Sequence, residues 1–170
     1  MMNYNRMLLA FDGSEHSEKA LQIAKRMRKD HDARLTVVNV DEPIIDEHDN
    51  LLASADVSSS VLPLHKDITS SFSKDHKRHE FEDSFSSTLV SDRAKNILNT
   101  AKSLLKDEEK IDYLTLRGNP KKEIDQFAEA NDIDLIIVGR RGLTGMEKLF
   151  MGSVSKNVSN HAECSVLIVQ

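Results

Sequence analysis

Short apolar runs alternate with longer segments of helical spacing along this chain of 170 residues. The runs are bounded by turn-forming or charged residues, and several are rich in β-branched side chains, as buried strands are. The intervening segments place apolar residues three and four positions apart, which is the spacing of one helix face. A chain that alternates strand and helix folds as a parallel sheet covered by helices. The predicted strands are Met7–Phe11, Arg34–Val40, Ile111–Leu116, Asp134–Val138 and Ser165–Val169.

Helix-start signals support the same alternation. Ser14 follows the first strand and can cap the next helix through its hydroxyl group. Asn119 and Pro120 stand where a later helix needs a cap and a first helical residue. Val154 and Val158 begin a short helix before the last strand. We therefore predict an α/β fold: a doubly wound, five-stranded, mostly parallel sheet with helices on both faces.

One stretch interrupts this pattern. Residues 44–89 are rich in Ser, Asp, Glu, His and Lys, and they show no sustained periodicity. A chain of 170 residues has the usual length of one domain. We predict a single domain over residues 1–170 with a polar insertion at about 44–89. The insertion is interpreted either as a regulatory element or as a surface excursion without a function.

The charge balance and the cysteine content limit the classes of function. The net charge is -5, which disfavours generic binding to nucleic acid, because that mode relies on many Lys and Arg contacts to phosphates. The single cysteine, Cys164, excludes a disulfide within the chain and fits a reducing compartment. The first residues hold no apolar stretch long enough for a signal-peptide core or a membrane span. We expect a cytoplasmic protein that binds neither nucleic acid nor membrane.

Glycine is concentrated in one segment. Residues 138–155 contain four of the six glycines, directly after the fourth predicted strand. Three of these glycines and a serine fall in the order Gly139-x2-Gly142-x9-Gly152-Ser153. Glycine permits a positive φ and lets backbone N–H groups approach an anion, and a helix start favours a phosphate. The segment predicts a phosphate-binding loop. The alternative is that these glycines only end a strand and start a helix.

Several familiar catalytic and phosphate-binding motifs are absent from the sequence. There is no G-x-x-x-x-G-K-[ST] loop, and no G-x-G-x-x-G follows the first strand. A Ras-like NTPase and an ordinary dinucleotide dehydrogenase are therefore disfavoured. There is also no G-x-S-x-G pattern, and Cys164 has no evident base beside it. We predict no catalytic residue.

The chain resembles the universal stress protein family, of the ATP-binding type. The family motif G-x2-G-x9-G-[S/T] is matched in full by Gly139, Gly142, Gly152 and Ser153. Resemblance extends to the family's first strand and turn (MLLAFDGSEHSEKAL), third helix start (GNPKKEI), fourth strand (DLIIVGRRG) and closing helix and strand (GSVSKNVSNHAECSVLIV). It covers roughly residues 5–43 and 90–170 and leaves out the insertion. It implies an adenine nucleotide alpha hydrolase-like fold with a flavodoxin-like strand order.

The resemblance also implies the residues that bind a nucleotide. Asp12 matches an acidic residue near the adenosine part, and Val40 matches a residue whose backbone contacts the adenine. Gly139 and Gly142 match positions on the ribose and phosphate side. The positions that hold phosphates are matched by Gly152, Ser153, Val154 and Ser155. The chain departs from the family at Ala10, where some ATP-binding members have proline, and in HAECSV, which lacks both usual prolines.

The ligand and partners follow from the same resemblance. ATP, or AMP or ADP, is the implied ligand, with Mg²⁺ or Mn²⁺ shared between Asp12 and the phosphates. The C-terminal strand is implied to form a homodimer; the alternative is that it is covered within its own subunit. The implied role is stress response or signalling through nucleotide occupancy and dimerisation, with room for a further protein partner. The alternatives are a nucleotide-free dimeric interaction module and a slow ATPase, with at most weak ATP hydrolysis.

Overall fold

The computed structural model describes residues 3–42, 90–106, 108–143 and 151–170, so the predicted insertion at about 44–89 lies outside the described residues. Strands and helices alternate along the described chain, as the sequence predicts. None of the described helices is both long enough and apolar enough to cross a membrane. The elements are β1 (Arg6–Ala10), α1 (Glu15–His31), β2 (Arg34–Asp41), α2 (Asp92–Leu104), β3 (Ile111–Arg117), α3 (Pro120–Ala130), β4 (Leu135–Gly139), α4 (Ser153–His161) and β5 (Ser165–Val169).

The predicted helix caps are confirmed. The Ser14 hydroxyl accepts a hydrogen bond from the Ser17 backbone N–H at 3.3 Å and so begins α1. The Asn119 side chain accepts one from the Lys121 backbone N–H at 3.0 Å, with Pro120 as the first residue of α3. These bonds satisfy N–H groups that have no partner inside the helix, which fixes where each helix starts.

The predicted fold class is confirmed, and the strand order corrects one detail of it. Five strands form one sheet in the order β3-β2-β1-β4-β5, and each neighbouring pair is parallel. A flavodoxin-like sheet has the order 2-1-3-4-5. The order observed here is instead that of one nucleotide-binding half of a Rossmann fold, extended by two strands on the other side of β1.

The reason for this order lies in the faces that the helices cover. Apolar residues of α1 and α2 share one buried cluster, which includes Leu21 and Leu98. Residues of α3 and α4 share the cluster on the opposite face, which includes Ile124 and Val158. Crossovers between parallel strands are right-handed, so two successive helices on one face carry the chain outward in one direction. The chain therefore runs β1, β2, β3 to one edge and then places β4 and β5 on the other side of β1.

The centre of the sheet is where this direction reverses. β1 and β4 are neighbours that pair from Met7 with Leu135 to Ala10 with Val138. All five residues of β4 are buried. In open α/β sheets a ligand binds beyond the carboxyl ends of the strands at such a reversal point. A ligand is therefore expected at the loops that follow β1 and β4.

The segments on either side of residues 43–89 are hydrogen-bonded to each other. The carboxylate of Asp41, the last residue of β2, accepts hydrogen bonds from the backbone N–H and the hydroxyl of Ser91, each at 2.7 Å. Ser91 is also the cap of α2, since its hydroxyl accepts from the Ala94 backbone N–H at 3.2 Å. The end of β2 and the start of α2 are thus held at one point of the framework.

Three basic residues of α1 surround the carboxylate of Glu108, which follows α2 and whose side chain is 8% exposed. Glu108 is within 2.7 Å of Arg28 Nη2, 2.8 Å of Lys29 Nζ and 3.2 Å of Lys25 Nζ. The Lys29 hydrogen bond, with those of Arg28 and Lys25, outweighs burial and lowers the pKa of Glu108 from 4.5 to about 2. The folded state therefore favours the ionised carboxylate more than the unfolded chain does.

The sign of this shift predicts a pH dependence. A lowered pKa stabilises the fold fully above the unfolded value of 4.5, and that contribution is lost as the pH falls toward 2. The stability difference between the wild type and Glu108→Gln should therefore be largest near neutral pH and should shrink between about pH 5 and pH 2. Urea unfolding across this range measures it, with Glu109→Gln as an exposed control. A difference that stayed constant with pH would contradict the prediction.

Candidate functional site

The loop after β1 places Asp12 at the reversal point of the sheet. One oxygen of the Asp12 carboxylate accepts a hydrogen bond from the Ser14 backbone N–H at 3.0 Å. The Ser14 hydroxyl donates in turn to the Arg141 carbonyl oxygen at 3.1 Å. The loop after β1 is thereby joined to the loop after β4. Asp12 itself is half-buried, so its carboxylate remains in reach of a ligand.

Gly139 is required by the packing of α1. A methyl group in place of its hydrogen would lie 2.8 Å from the carbonyl carbon of His16 and 2.9 Å from the backbone nitrogen of Ser17. Both contacts are with backbone, and real side chains essentially never approach so closely. Gly139 is buried at the end of β4. Its role is therefore to let the first turn of α1 lie directly on the sheet.

Gly142 gives room to the Asp12 carboxylate. A methyl group at this position would lie 2.5 Å from Asp12 Oδ2. Gly142 is exposed, so the atom that it leaves uncovered is an acidic oxygen at a solvent-facing surface. Positive φ is not the reason for the motif glycines, since among the described glycines only Gly13 and Gly118 have it. In the structure Gly139 and Gly142 allow close approach of α1 backbone and of the Asp12 carboxylate, whereas the predicted approach of backbone N–H groups to an anion stays a prediction.

The turn between the first two motif glycines and the start of α4 meet at one carbonyl group. The Arg140 carbonyl oxygen accepts from the Gly152 backbone N–H at 2.8 Å and from the Ser155 hydroxyl at 2.9 Å. The same hydroxyl lies 3.0 Å from the Gly152 carbonyl oxygen. Ser155 is buried, so its hydroxyl proton is used inside the protein. The two glycine turns are therefore adjacent in space.

The start of α4 differs from that of the other described helices. Its cap residue is Gly152, which offers no side-chain acceptor to the first turn. The first N–H groups of a helix have no partner within it, and the helix dipole makes this end electropositive. Ser153 is exposed and Val154 is half-buried at this end. Backbone donors are thus available next to the Arg140 turn, where an anion would be favoured.

At the end of β2, the peptide group of Val40 lies next to the same edge. The Val38 carbonyl oxygen accepts from the Phe11 backbone N–H at 2.8 Å, which is the last backbone bond between β1 and β2 among the described residues. Alternate residues of a strand direct their peptide groups to the same neighbour. The N–H and carbonyl of Val40 therefore face the space beyond the end of β1. The Val40 side chain packs against the core on the α3 and α4 side.

An open cavity adjoins Asp12 and is lined by the loop after β1, the start of α1, one face of α2 and the loop after β4. Its volume is about 600 Å³, which lies within the range of small-molecule sites. Acidic, basic, amide and hydroxyl groups line it together with two apolar side chains. The lining residues are Asp12, Gly13, Glu18, Arg93, Asn96, Ile97, Thr100 and Leu143.

Cys164 is not placed for nucleophilic chemistry. Burial raises the pKa of its thiol, and the nearby carboxylates of Asp134 and Asp125 raise it further, although two backbone hydrogen bonds act in the opposite direction. A thiol with a raised pKa carries little thiolate at neutral pH, and the thiolate is the nucleophile. Cys164 is half-buried, and its side chain packs against the core on the α3 and α4 side.

Comparison with known proteins gives the family. The family model described as universal stress protein family matches residues 3–170. The chain belongs to the universal stress protein family. A universal stress protein from Thermus aquaticus, encoded in the QAH/OAS sulfhydrylase 3' region, is 32% identical over 98% of this chain and 99% of its own length. Universal stress protein YxiE of Bacillus subtilis is 28% identical over 98% of this chain and 99% of its own length.

Solved structures of universal stress proteins share the fold. UspA from Lactobacillus plantarum matches with a TM-score of 0.67 at 19% identity, with full coverage of both chains. A universal stress protein in complex with cAMP matches with a TM-score of 0.61 at 19% identity over 99% of this chain and 98% of its own. One from Archaeoglobus fulgidus in complex with dAMP has a TM-score of 0.59 at 17% identity, over 99% and 100%. Both complexes contain adenine nucleotides.

In this universal stress protein, four of the eight residues predicted to contact a nucleotide come together in two groups. Asp12 and Gly142 are in contact, and Gly152 and Ser155 meet the Arg140 carbonyl beside them. Ser14 joins the two groups through Arg141. Sequence reasoning missed the roles of Ser14 as a tie between loops and of Asn39, a buried polar residue. The signal for Asn39 is a polar side chain within the apolar run RLTVVNV.

A metal site is not formed by protein groups alone in the described part of the chain. Among those residues there is no group of three or more His, Cys, Asp or Glu side chains that could hold an ion. Asp12 contributes one carboxylate, and one of its oxygens already accepts from Ser14. A hard cation here would take most of its oxygen ligands from a bound phosphate chain and water.

Proposed function

We propose that this universal stress protein binds an adenine nucleotide, ATP or its AMP or ADP products, at the carboxyl ends of β1 and β4. The observation that carries the proposal is the joining of the two glycine turns at the Arg140 carbonyl, beside an uncapped helix start. That arrangement places backbone donors where a phosphate chain would lie. The nucleotide complexes of related universal stress proteins support the choice of adenine. The role that follows is stress response or signalling through nucleotide occupancy.

Each predicted residue takes a part that its environment supports. The Asp12 carboxylate is proposed to accept hydrogen bonds from the ribose hydroxyls, because one of its oxygens borders the exposed Gly142. The backbone of Val40 is proposed to contact the adenine edge. The phosphates are proposed to lie on the free N–H groups of Ser153, Val154 and Ser155 at the start of α4. Gly152 lies beside them, and its own N–H is donated to the Arg140 carbonyl oxygen.

Two motif residues act indirectly in this proposal. The Ser155 hydroxyl is committed to the Arg140 carbonyl, so it positions the loop while its N–H faces the anion. Gly139 is covered by α1, and its lack of a side chain lets the first turn of α1 pack on β4 and so holds the ribose side of the proposed site in place. Mg²⁺ or Mn²⁺, when bound, would neutralise the phosphates, and Asp12 would be its protein ligand only where the oxygen beside Gly142 faces the ion instead of the ribose.

Isothermal calorimetry of the nucleotide-stripped protein with ATP and Mg²⁺ tests the proposal. We expect one saturable site per subunit. With a Kd of about 1 μM and ATP at about 1 mM, binding would stabilise the fold by about 4 kcal/mol, and the site would be filled almost permanently. A protein filled in this way would respond to the ratio of competing adenine nucleotides. Silence up to about millimolar ATP would reject nucleotide binding and favour a nucleotide-free interaction module.

A cytoplasmic location is proposed on the same basis. ATP is the ligand, and the chain has the single cysteine Cys164, which is unpaired. Proteins of oxidising compartments more often rely on disulfides.

We also propose that the protein is a homodimer that pairs through β5. β5 lies at one edge of the sheet, and its side chains from Ser165 to Ile168 are only half-buried. The Ser165 N–H and the Val169 carbonyl bond to the β4 side, so the peptide groups of Val166 and Ile168 face away from β4. An apolar edge with unpaired peptide groups is a template for another strand.

Proline at this edge should separate the subunits. Ile168→Pro removes one outward N–H without removing a bond to β4, and we expect a shift from dimer to monomer in light scattering after size exclusion. Thr115→Pro makes the same kind of change on the opposite edge strand, β3. The Gly118 N–H bonds to β2, so even-numbered residues of β3 direct their peptide groups to β2 and Thr115 directs its own away from it. The control should leave the dimer intact. A dimer that survives Ile168→Pro but not Thr115→Pro would assign the interface to β3.

A further inference from the structure

Asn39 is a buried polar residue on a face of β2 that is otherwise apolar. It is 5% exposed, and its neighbours on that face, Leu35 and Val37, are part of the core. Its side-chain amide donates a hydrogen bond to the Phe11 carbonyl oxygen at 2.8 Å. Burying an amide is unfavourable unless its hydrogen bonds are made, so a polar residue here needs a specific partner. That partner is the carbonyl at the end of β1.

The Asn39 bond stands where a backbone bond would otherwise form. The last ladder bond between β1 and β2 runs from the Phe11 N–H to the Val38 carbonyl. In a parallel ladder the next bond would run from the Val40 N–H to the Phe11 carbonyl. Within the described part of the chain that bond is absent, and the Asn39 amide occupies the Phe11 carbonyl instead.

The Val40 N–H is consequently left at the edge where the ladder stops. It faces the space beyond β1, above the loop that carries Asp12. A peptide N–H in that position is a fixed donor for an acceptor atom on a flat ligand. Ring nitrogens without hydrogen on the edge of adenine are acceptors of this kind, whereas hypoxanthine carries an N–H at the corresponding ring position.

We propose that Asn39 is a positioning residue for the nucleobase: by taking the Phe11 carbonyl it keeps the Val40 N–H available to a ring nitrogen of adenine. This inference rests on the proposed nucleotide function. Asn39 does not touch the base. It determines whether the strand pair closes by one more bond or presents a donor to the ligand.

Two variants of similar size separate the donor from the volume. Asn39→Leu has no donor, so the Phe11 carbonyl is free to accept from Val40 and the ladder extends by one bond. Asn39→His is similar in size and keeps a ring N–H. We expect the ratio of ATP affinity to ITP affinity to fall about tenfold in Asn39→Leu and to be largely kept in Asn39→His. The affinity for tripolyphosphate, which has no base, should be the same in all three proteins.

Hydrogen exchange at the Val40 amide reads the same bond without relying on affinity. In the nucleotide-free wild type this amide should exchange rapidly, and in Asn39→Leu it should exchange about tenfold more slowly because it gains a partner. Saturating ATP should slow the wild-type Val40 amide, and saturating ITP should not. This last comparison needs no variant, so it can overturn the inference even where Asn39→Leu fails to fold, and Asn39→His then tests Asn39 itself.

The outcomes distinguish the inference from the function that it deepens. Wild-type protein that binds ATP while its Val40 amide exchanges at an unchanged rate overturns the role of Asn39 and leaves nucleotide binding in place. An unchanged ATP-to-ITP ratio in a folded Asn39→Leu protein does the same. Wild-type protein that binds no nucleotide overturns both.

Discussion

Replacing Gly139 with alanine is expected to lower the free energy of unfolding by about 3 kcal/mol, the upper end of what overpacking a close-packed interior costs. The added methyl group meets the backbone of His16 and Ser17 at 2.8 and 2.9 Å, as well as His16 Cβ at 3.0 Å. No side-chain rotation relieves a contact with backbone. Either α1 moves away from β4 or the end of β4 moves away from β1, and both changes open the core.

Urea unfolding at constant protein concentration measures the effect, and Gly142→Ala is the matched control. The methyl group at Gly142 meets the far end of the Asp12 side chain, which can rotate away. Gly142 is also exposed. We expect a loss below about 1 kcal/mol for the control, as is usual for surface positions. A Gly139→Ala protein as stable as the control would mean that α1 is not held on the sheet as tightly as the contacts indicate.

Gly142→Asp is expected to lower the affinity for ATP by about a hundredfold. The substitution places a second carboxylate beside Asp12, on the ribose and phosphate side of the proposed site, where it repels the negatively charged phosphates. Repulsion between unit charges about 4 Å apart is worth about 1 to 4 kcal/mol between bulk water and a protein surface. Each 1.4 kcal/mol corresponds to about a tenfold change in affinity.

The control for this variant is Gly142→Asn, which adds a side chain of the same shape without the charge. Calorimetry with ATP and with adenosine separates the two contributions. We expect the charge to affect ATP strongly and adenosine little, whereas the size of the side chain affects both. An ATP affinity that is unchanged in Gly142→Asp would place the phosphates away from this loop and would count against the proposed function.

The alternation of strands and helices was predictable because each strand and each helix carries its own periodicity and caps. Ser14 and Asn119 begin their helices through bonds that span two or three residues, so local sequence determines them. The order of the strands depends on which face each helix covers. That choice is made by contacts such as those within the cluster of Leu21 and Leu98, which no local pattern reveals.

The motif residues of the candidate site could be recognised from the sequence, but their contacts could not. The spacing of the motif glycines predicts a loop for an anion, and that role stays a prediction. The spacing could not show that Gly139 faces helix backbone, or that Ser155 gives its proton to the Arg140 carbonyl. Such roles depend on atoms brought together from distant parts of the chain, as in the bond from Asn39 to Phe11.

The two hydrogen bonds between Asp41 and Ser91 hold the end of β2 and the start of α2 together independently of the sequence between them. Both ends are anchored within the framework, so a flexible linker engineered between them would have to meet only the free-energy cost of loop closure. Each doubling of such a linker would add only about 0.6 kcal/mol to that cost. A different intervening sequence is therefore expected to leave β2 and α2 in place, because Asp41 and Ser91 tie them to each other. For protein engineering, the same position is a graft point at which a foreign recognition sequence can be added to this scaffold.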